Sequence, residues 1–392
     1  MKQIFLKDKR DAAVLRFHPW VFSGAVARKS GAIEDGEWVE VRSNKSELLG
    51  MGHYQDGSIC VRLLSFEPAT IDQNFWTQKI NRAYQYRKAI ELTDRDQLNC
   101  YRLIHGEGDG LPGLVIDVYG EAAVIQCHSI GMHRDRAMIA QALQDVYGSK
   151  LKAVYDKSAE SLPKEYATTM QNGYLFGTGA ETVVKEYGAL FTIDWEGGQK
   201  TGFFLDQREN RRLLAEYAAG KTVLNTFCYT GGFSIYALKA GAHSVESVDV
   251  SAKAMELTEK NVALNGFDDS RHRSYTTDVL DFLRKTPNTY DLMVVDPPAF
   301  AKNLEKRHNA VQGYKRLNAL AMEKIKPGGI LFTFSCSQVV NKQLFYDTIV
   351  AAALEAGRQV RVMHQLSQGP DHPVNLFHPE GEYLKGLVLY VE

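Results

Sequence analysis

A thiol, a carboxylate and a glycine turn close successive apolar runs in the second half of the chain. Cys336 ends the run GGILFTFSC, and Asp296 ends YDLMVVD. A lone cysteine is ordinarily an inert core residue. Cys336, however, is expected at the end of the strand neighbouring the one that carries Asp296, and a thiolate there is an effective nucleophile. Asp296 opens the sequence Asp-Pro-Pro-Ala-Phe at 296–300, where two prolines stiffen the backbone beside the carboxylate. Enzymes that methylate nucleobases use an acidic or amide residue before Pro-Pro to hydrogen-bond the target base. The plain alternative is a rigid turn and nothing more. Cys228 competes for the role of nucleophile, but it lies inside the glycine turn and reads as a packing residue.

That turn, NTFCYTGGFS at 225–234, joins a strand to a helix. Gly231 and Gly232 let the backbone pass close to a ligand. The next strand ends in Asp249, 18 residues after Gly231, where a carboxylate can take both hydroxyls of a ribose. The pattern is not GxGxxG, which disfavours a dinucleotide. A tight turn without a pyrophosphate cradle fits a nucleoside free of phosphates, such as S-adenosylmethionine. Asp278, after the third strand, is placed to accept from an adenine amino group. The alternative for Asp249 and Asp278 is that both merely cap helices. Upstream, GQKTGFFLDQREN at 198–210 offers polar groups toward the amino-acid end of the cofactor, and Asp206 there is expected to cap the following helix. The candidate cofactor set is Thr201, Gln207, Asn225, Phe227, Tyr229, Gly231, Gly232, Asp249, Ser251, Asp278 and Asp296.

The elements that must position these groups alternate strand and helix from about Thr222, as in a doubly wound sheet with ligands at the carboxyl ends of its strands. Strands are expected at TVLNTF, SVESVDV, YDLMVVD and GGILFTFSC. A helix capped by Ser251 and another through Phe345, Ile349 and Ala352 lie between or after them. VRVMHQL and YLKGLVLYVE close the chain as a β-hairpin. Residues 1–66 read as short strands (VFSGAV, GEWVEVRS, LLGMGHY, ICVRLLSF) split by turns. A helix through Phe75, Ile80 and Tyr84 follows. A small α+β unit then begins at YRLIHGEGDGLPGLVIDVYG and includes a helix through Met138, Ala142 and Val146. The expected domains are 1–72, 73–195 and 196–392.

With 392 residues, 44% hydrophobic and 24% charged, the chain has the balance of a globular protein with a large core. It has no apolar run of membrane-spanning length and no apolar signal core at MKQIFLKDKR. The five cysteines form no CxxC pair, which argues against a zinc site or disulfide framework and for a reducing, cytoplasmic setting; no metal is expected. Net charge is −1, yet residues 1–30 hold seven basic groups against two acidic, and 300–316 five against one. Such local patches fit a polyanion held at defined places. In the second patch Lys302, Lys306 and Arg307 are the candidate RNA-backbone contacts, and Phe300 is the candidate base-stacking ring.

NTFCYTGGFS, SVDVS, DPPAF and SCS, together with QKTGFFLDQR, HPWVFSGAV, GEGDGLPGLVID, DHPV and EGEYLKG, resemble the ribosomal RNA large subunit methyltransferase I family over essentially the whole chain. The resemblance implies an α/β fold: an N-terminal β-rich PUA domain that binds RNA, a small α+β middle domain, and a C-terminal class I, Rossmann-like methyltransferase domain. It implies rRNA processing by S-adenosylmethionine-dependent methylation of carbon 5 of a cytosine in 23S ribosomal RNA, with Cys336 as nucleophile and Asp296 as the acidic motif residue. Partners would be 23S ribosomal RNA or a large-subunit precursor, with a homodimer as the candidate assembly and no membrane. Many RNA cytosine-5 methyltransferases carry a second cysteine after Pro-Pro that helps release product; here that position is Ala299. Rival readings are a methyltransferase acting on guanine or another atom, and a non-catalytic ribosome-assembly factor.

Overall fold

The computed structural model describes every residue except Lys302. The chain divides into two compact units. The first comprises Met1–Lys185, Ile193–Leu205 and Pro370–Gly381; the second comprises Glu186–Thr192, Asp206–Gly369 and Glu382–Glu392.

The first unit holds two sheets. The N-terminal one has six strands in the order Trp20–Phe22, Ile59–Ser65, Leu48–Tyr54, Trp38–Arg42, Lys2–Leu6, Val26–Lys29. Its alternating inward residues, Ile4, Leu6, Val39, Val41, Val61 and Leu63, make the core. Gly52 is required by a close strand approach: a Cβ there would lie 1.9 Å from the Arg62 carbonyl oxygen. Two sequence expectations change. VFSGAV is not one strand, because a single 3-10 turn at Ser23–Ala25 interrupts it, and Lys2–Leu6 is a strand that its lysine-rich surroundings concealed. Beyond the sheet, Asp72 caps the helix Gln73–Ala89 by accepting from the Phe75 amide at 2.9 Å.

The second sheet has five strands in the order Gly173–Phe176, Ala153–Asp156, Ala122–Cys127, Leu114–Tyr119, Cys100–His105. The helix Arg136–Tyr147 crosses over between the parallel pair Ala122–Cys127 and Ala153–Asp156, and buries Ile139, Ala140, Ala142 and Leu143. The helix expected through Met138, Ala142 and Val146 is present, and of those three Ala142 is buried. Residues 196–205 and 370–381, expected in the C-terminal domain, sort with this unit. The hydroxyl of Thr201 donates to Asp117 at 2.6 Å, and Asp371 accepts from the Arg102 amide at 2.9 Å.

The second unit is built on a seven-stranded sheet. Its order is His272–Thr276, Ser244–Asp249, Thr222–Thr226, Tyr290–Val295, Ile325–Ser335, Lys385–Val391, Val360–Leu366. The first five strands are parallel, and the last two pair antiparallel, as expected of the closing segments. Helices cover the faces, and the core includes Leu224, Val248, Met293, Val295, Tyr314, Leu317 and Phe345. Strand order reverses between Thr222–Thr226 and Tyr290–Val295, and ligands of such sheets bind at the carboxyl ends of the strands at that reversal. No helix among the described residues is long and apolar enough to cross a membrane.

The buried face of Gln73–Ala89 is Trp76, Ile80, Ala83 and Arg87; of Phe75, Ile80 and Tyr84, through which the helix is expected to run, only Ile80 lies on it. Arg87 is fully buried. Its guanidinium forks onto Asp109 and donates to the carbonyls of Arg102 and Asp371, both at 2.8 Å. Removing one partner of a buried pair strands the other. Arg87→Met should therefore destabilise the protein by about 3–5 kcal/mol. Chemical denaturation checks this; a loss no larger than that of an exposed substitution would mean the pair is dispensable.

Candidate active site

The turn after Thr222–Thr226 is wound by positive φ at alternate positions: Phe227 at 56°, Tyr229 at 48° and Gly231 at 80°. Two of these are non-glycine residues, which adopt that conformation only when surroundings hold them there. Asp249 supplies much of the hold, accepting from the Tyr229 amide at 3.0 Å and the Ser251 amide at 2.9 Å. Thr258 donates to the Tyr229 carbonyl at 2.8 Å, and Asn261 to that of Thr230 at 3.0 Å. Gly231 also opens the helix Gly232–Lys239, and a Cβ on it would lie 2.8 Å from the Thr258 methyl. A Cβ on Gly232 would stand 3.0 Å from Arg211, whose guanidinium is clamped by Glu186 at 2.8 and 2.7 Å.

Beneath the turn, the Asn225 amide donates to Ser234 at 2.8 Å. The chain of contacts continues through Ser247 at 2.7 Å to His272 at 2.8 Å. Asn225 is thus part of the floor. Burial pushes the His272 imidazole down to about 4. Cys228 is buried beside Met255, 3.5 Å between sulfurs, and burial pushes its thiol well up; it packs, as expected. Ser251 caps the helix Ala252–Leu264 through the Ala254 amide at 3.3 Å. Asp278 caps Val279–Lys285 through the Asp281 amide at 3.0 Å. One Asp278 oxygen is therefore committed to capping. Thr201 lies in the first unit, fully buried, with Asp117 and Tyr119 as its hydroxyl partners.

Asp296 follows the strand Tyr290–Val295, and Cys336 follows its neighbour Ile325–Ser335. One carboxylate oxygen of Asp296 accepts from Gln207 at 3.0 Å. Gln207 is itself oriented by Asn210, whose amide donates to it at 2.6 Å. Burial, then the nearby Asp206, push the Asp296 carboxyl up to about 7, against the pull of Gln207 and Arg211. Burial, then Asp296 and Asp206, push the Cys336 thiol up to about 11, with Lys385 pulling it back. The site therefore rests with Asp296 near its own midpoint and Cys336 as a thiol.

Asp206 does not cap a helix, because a 3-10 turn, Leu205–Gln207, carries it. One of its oxygens accepts from the Tyr383 hydroxyl at 2.7 Å, and the other is buried without a partner among the described residues. That orphaned acceptor suits a cationic or donor group of a ligand. Phe300 lies against Tyr314, ring centroids 4.6 Å apart, and packs on the core. Its expected role as a free stacking platform is therefore not what the packing favours. Lys306 and Arg307 are exposed, at the end of the turn Leu304–Lys306 and the start of the helix Arg307–Lys324, and make no ion pair among the described residues. Lys302 lies outside the described residues. Sequence reasoning missed Tyr383 and Lys385, which come beside the strand end before Cys336 only through the antiparallel return of the chain.

The S-adenosylmethionine-dependent methyltransferase family matches residues 132–376, and a PUA-like domain matches residues 4–66. Ribosomal RNA large subunit methyltransferase I of Aeromonas hydrophila is 40% identical over 394 residues, covering 98% of each chain. The protein of that name from Klebsiella pneumoniae is 39% identical over 396 residues, covering 99% of this chain and 98% of its own. A putative methyltransferase from Streptococcus mutans superposes with a TM-score of 0.84 over the whole of both chains at 23% identity. Another, complexed with SAH, gives 0.85 at the same identity and coverage.

The raised Asp296 carboxyl has a consequence for stability. A carboxyl near 7 when folded and near 4 when unfolded holds its proton more tightly in the native state. Its contribution to stability is therefore present at low pH and declines as pH rises toward about 7. Asp296→Asn should lack this decline and melt higher than wild type above neutral pH. Thermal melts across pH check it; parallel curves would mean that Asp296 is ionised throughout.

Proposed function

The chain belongs to the ribosomal RNA large subunit methyltransferase I family, and from that premise we propose that it methylates carbon 5 of a cytosine in 23S ribosomal RNA through a covalent bond to Cys336. The observation that carries the chemistry is a thiol and a raised carboxyl at the carboxyl ends of two adjacent parallel strands, Cys336 beside Asp296. Carbon 5 of cytosine is a poor nucleophile. Addition of the Cys336 thiolate to carbon 6 makes the ring an enamine, and Asp296, poised near neutrality, donates to ring nitrogen N3 as charge develops. After methylation, water or a base takes the carbon 5 proton, N3 returns its proton to Asp296, and the freed electron pair forms the 5,6 double bond as the thiolate leaves. A guanine methyltransferase needs no thiol here.

S-adenosylmethionine, when bound, supplies the methyl group. The residues that would hold it are the turn Phe227–Gly232, with Asp249, Asp278, Gln207 and the unpartnered oxygen of Asp206. Gly231 and Gly232 let the turn pack closely on Thr258 and Arg211, and the buried Asp206 acceptor is the observation that suits the cofactor's charged end. The fully buried Thr201 is the weakest of the cofactor candidates, since its hydroxyl is already spent. RNA would be gripped by exposed Lys306 and Arg307, with Lys302, and by the PUA-like domain. The target base must leave its stack, at a cost of a few kcal/mol that looped RNA lowers. The same reading makes the protein a cytoplasmic enzyme.

Incubation of unmodified 23S ribosomal RNA with the protein and methyl-labelled S-adenosylmethionine tests this. Nuclease digestion should yield labelled 5-methylcytosine with wild type and none with Cys336→Ala, which should still bind S-adenosylmethionine by calorimetry. Label in a guanine nucleoside, or near wild-type turnover by Cys336→Ala, would overturn the reading.

A further inference from the structure

Lys385 is a buried titratable group that the reaction above does not use. Its strand pairs antiparallel with Ile325–Ser335, with Ser335 directly opposite Lys385. The residue is 5% exposed. Its ammonium donates to the carbonyls of Ser337 and Tyr383, both at 2.7 Å. The lysine is thus tied to the residues on either side of Cys336, by strand pairing to Ser335 and by a hydrogen bond to Ser337. Both acceptors are neutral, and among the described residues Lys385 makes no ion pair. A buried ammonium without a counter-ion is costly and is rarely kept without a task.

We propose that Lys385 is a positioning residue that supplies the counter-charge for the Cys336 thiolate during attack on carbon 6. This rests on the reading of Cys336 as the nucleophile. The groups facing Cys336 are Asp296 and Asp206, whose charges oppose a thiolate, the Tyr314 phenol from the helix Arg307–Lys324, and Lys385. Those facing Lys385 are Cys336 and Glu382. Burial pushes the ammonium down to about 8, so it stays mostly charged at neutral pH, and a thiolate beside it favours that charge further. When the S–H bond breaks, the electron pair stays on sulfur and the proton goes to solvent. Lys385 keeps its three protons throughout. When the carbon–sulfur bond breaks at the end, its electron pair returns to sulfur beside the same ammonium.

The test is the rate of Cys336 alkylation by iodoacetamide from about pH 6 to pH 7, where Lys385 is charged and the rate follows the small thiolate fraction. The other four cysteines are buried, and Cys336→Ala gives the blank. Lys385→Gln, which can still donate to a carbonyl, should slow alkylation about tenfold or more, and Lys385→Arg should restore most of the rate. An unchanged rate in Lys385→Gln would overturn the proposal. If that variant does not fold, carbon-13 NMR titration of Lys385 in wild type and Cys336→Asp, which sets a carboxylate in place of the neutral thiol, reads the same coupling from the other side. The ammonium should hold its proton to higher pH in Cys336→Asp, and identical titrations would overturn the proposal. Neither readout involves RNA. A coupled pair in a protein that makes no 5-methylcytosine would therefore sink the functional reading and leave the pairing intact.

Discussion

Desolvation at the carboxyl edge of the seven-stranded sheet is the constraint on which the chemistry depends. Asp296, Cys336 and Lys385 each sit where burial disfavours their charged forms. Asp206 opposes charge on Asp296, and both carboxyls oppose a thiolate at Cys336. Neutral groups complete the site: the Gln207 amide on Asp296, the Tyr383 hydroxyl on Asp206, two carbonyls on Lys385. An environment of fixed dipoles stabilises charge that appears only as reaction proceeds, at no cost in reorganisation. A thiol that ionised freely in the resting protein would be open to oxidation instead.

Sheet topology brings these groups together. The reversal of strand order places the glycine turn and Asp296 at the ends of adjacent strands, and the next strand in line carries Cys336. The turn is strained at Phe227 and Tyr229, and Asp249, Thr258 and Asn261 hold it by four hydrogen bonds to its backbone or its exit. Asp249 therefore has a structural duty as well as a proposed ligand. Its loss would relax the turn along with any ribose contact.

Much of this was legible in the sequence, because local signals wrote it. Apolar runs ending in Asp249, Asp296 and Cys336 gave strand ends, glycines gave the turn, and Ser251 gave a cap. Less legible was anything set by long-range pairing. Lys385 reads as one lysine in a C-terminal strand until Ser335 is found opposite it. Asp206 reads as a helix cap until Tyr383 claims it. Arg87 lies on the buried face of its helix because Asp109 and two carbonyls await it, and no local spacing announces those partners. Phe300 reads as a stacking ring because its packing partner, Tyr314, lies fourteen positions further along the chain. Resemblance to a family supplied the base and the carbon atom; no spacing of residues could have done so.

The claim at the centre is that Cys336, and no other cysteine, bonds to the pyrimidine ring. A 23S-derived RNA carrying 5-fluorocytosine at the methylated position has no proton to lose after methyl transfer, so the adduct should persist. Protease digestion and mass spectrometry of the denatured complex then identify the bonded residue. The account predicts one cross-linked peptide, containing Cys336, formed only when S-adenosylmethionine is present. A cross-link at Cys228, or a wild-type enzyme that methylates cytosine normally and yields no adduct, would contradict it.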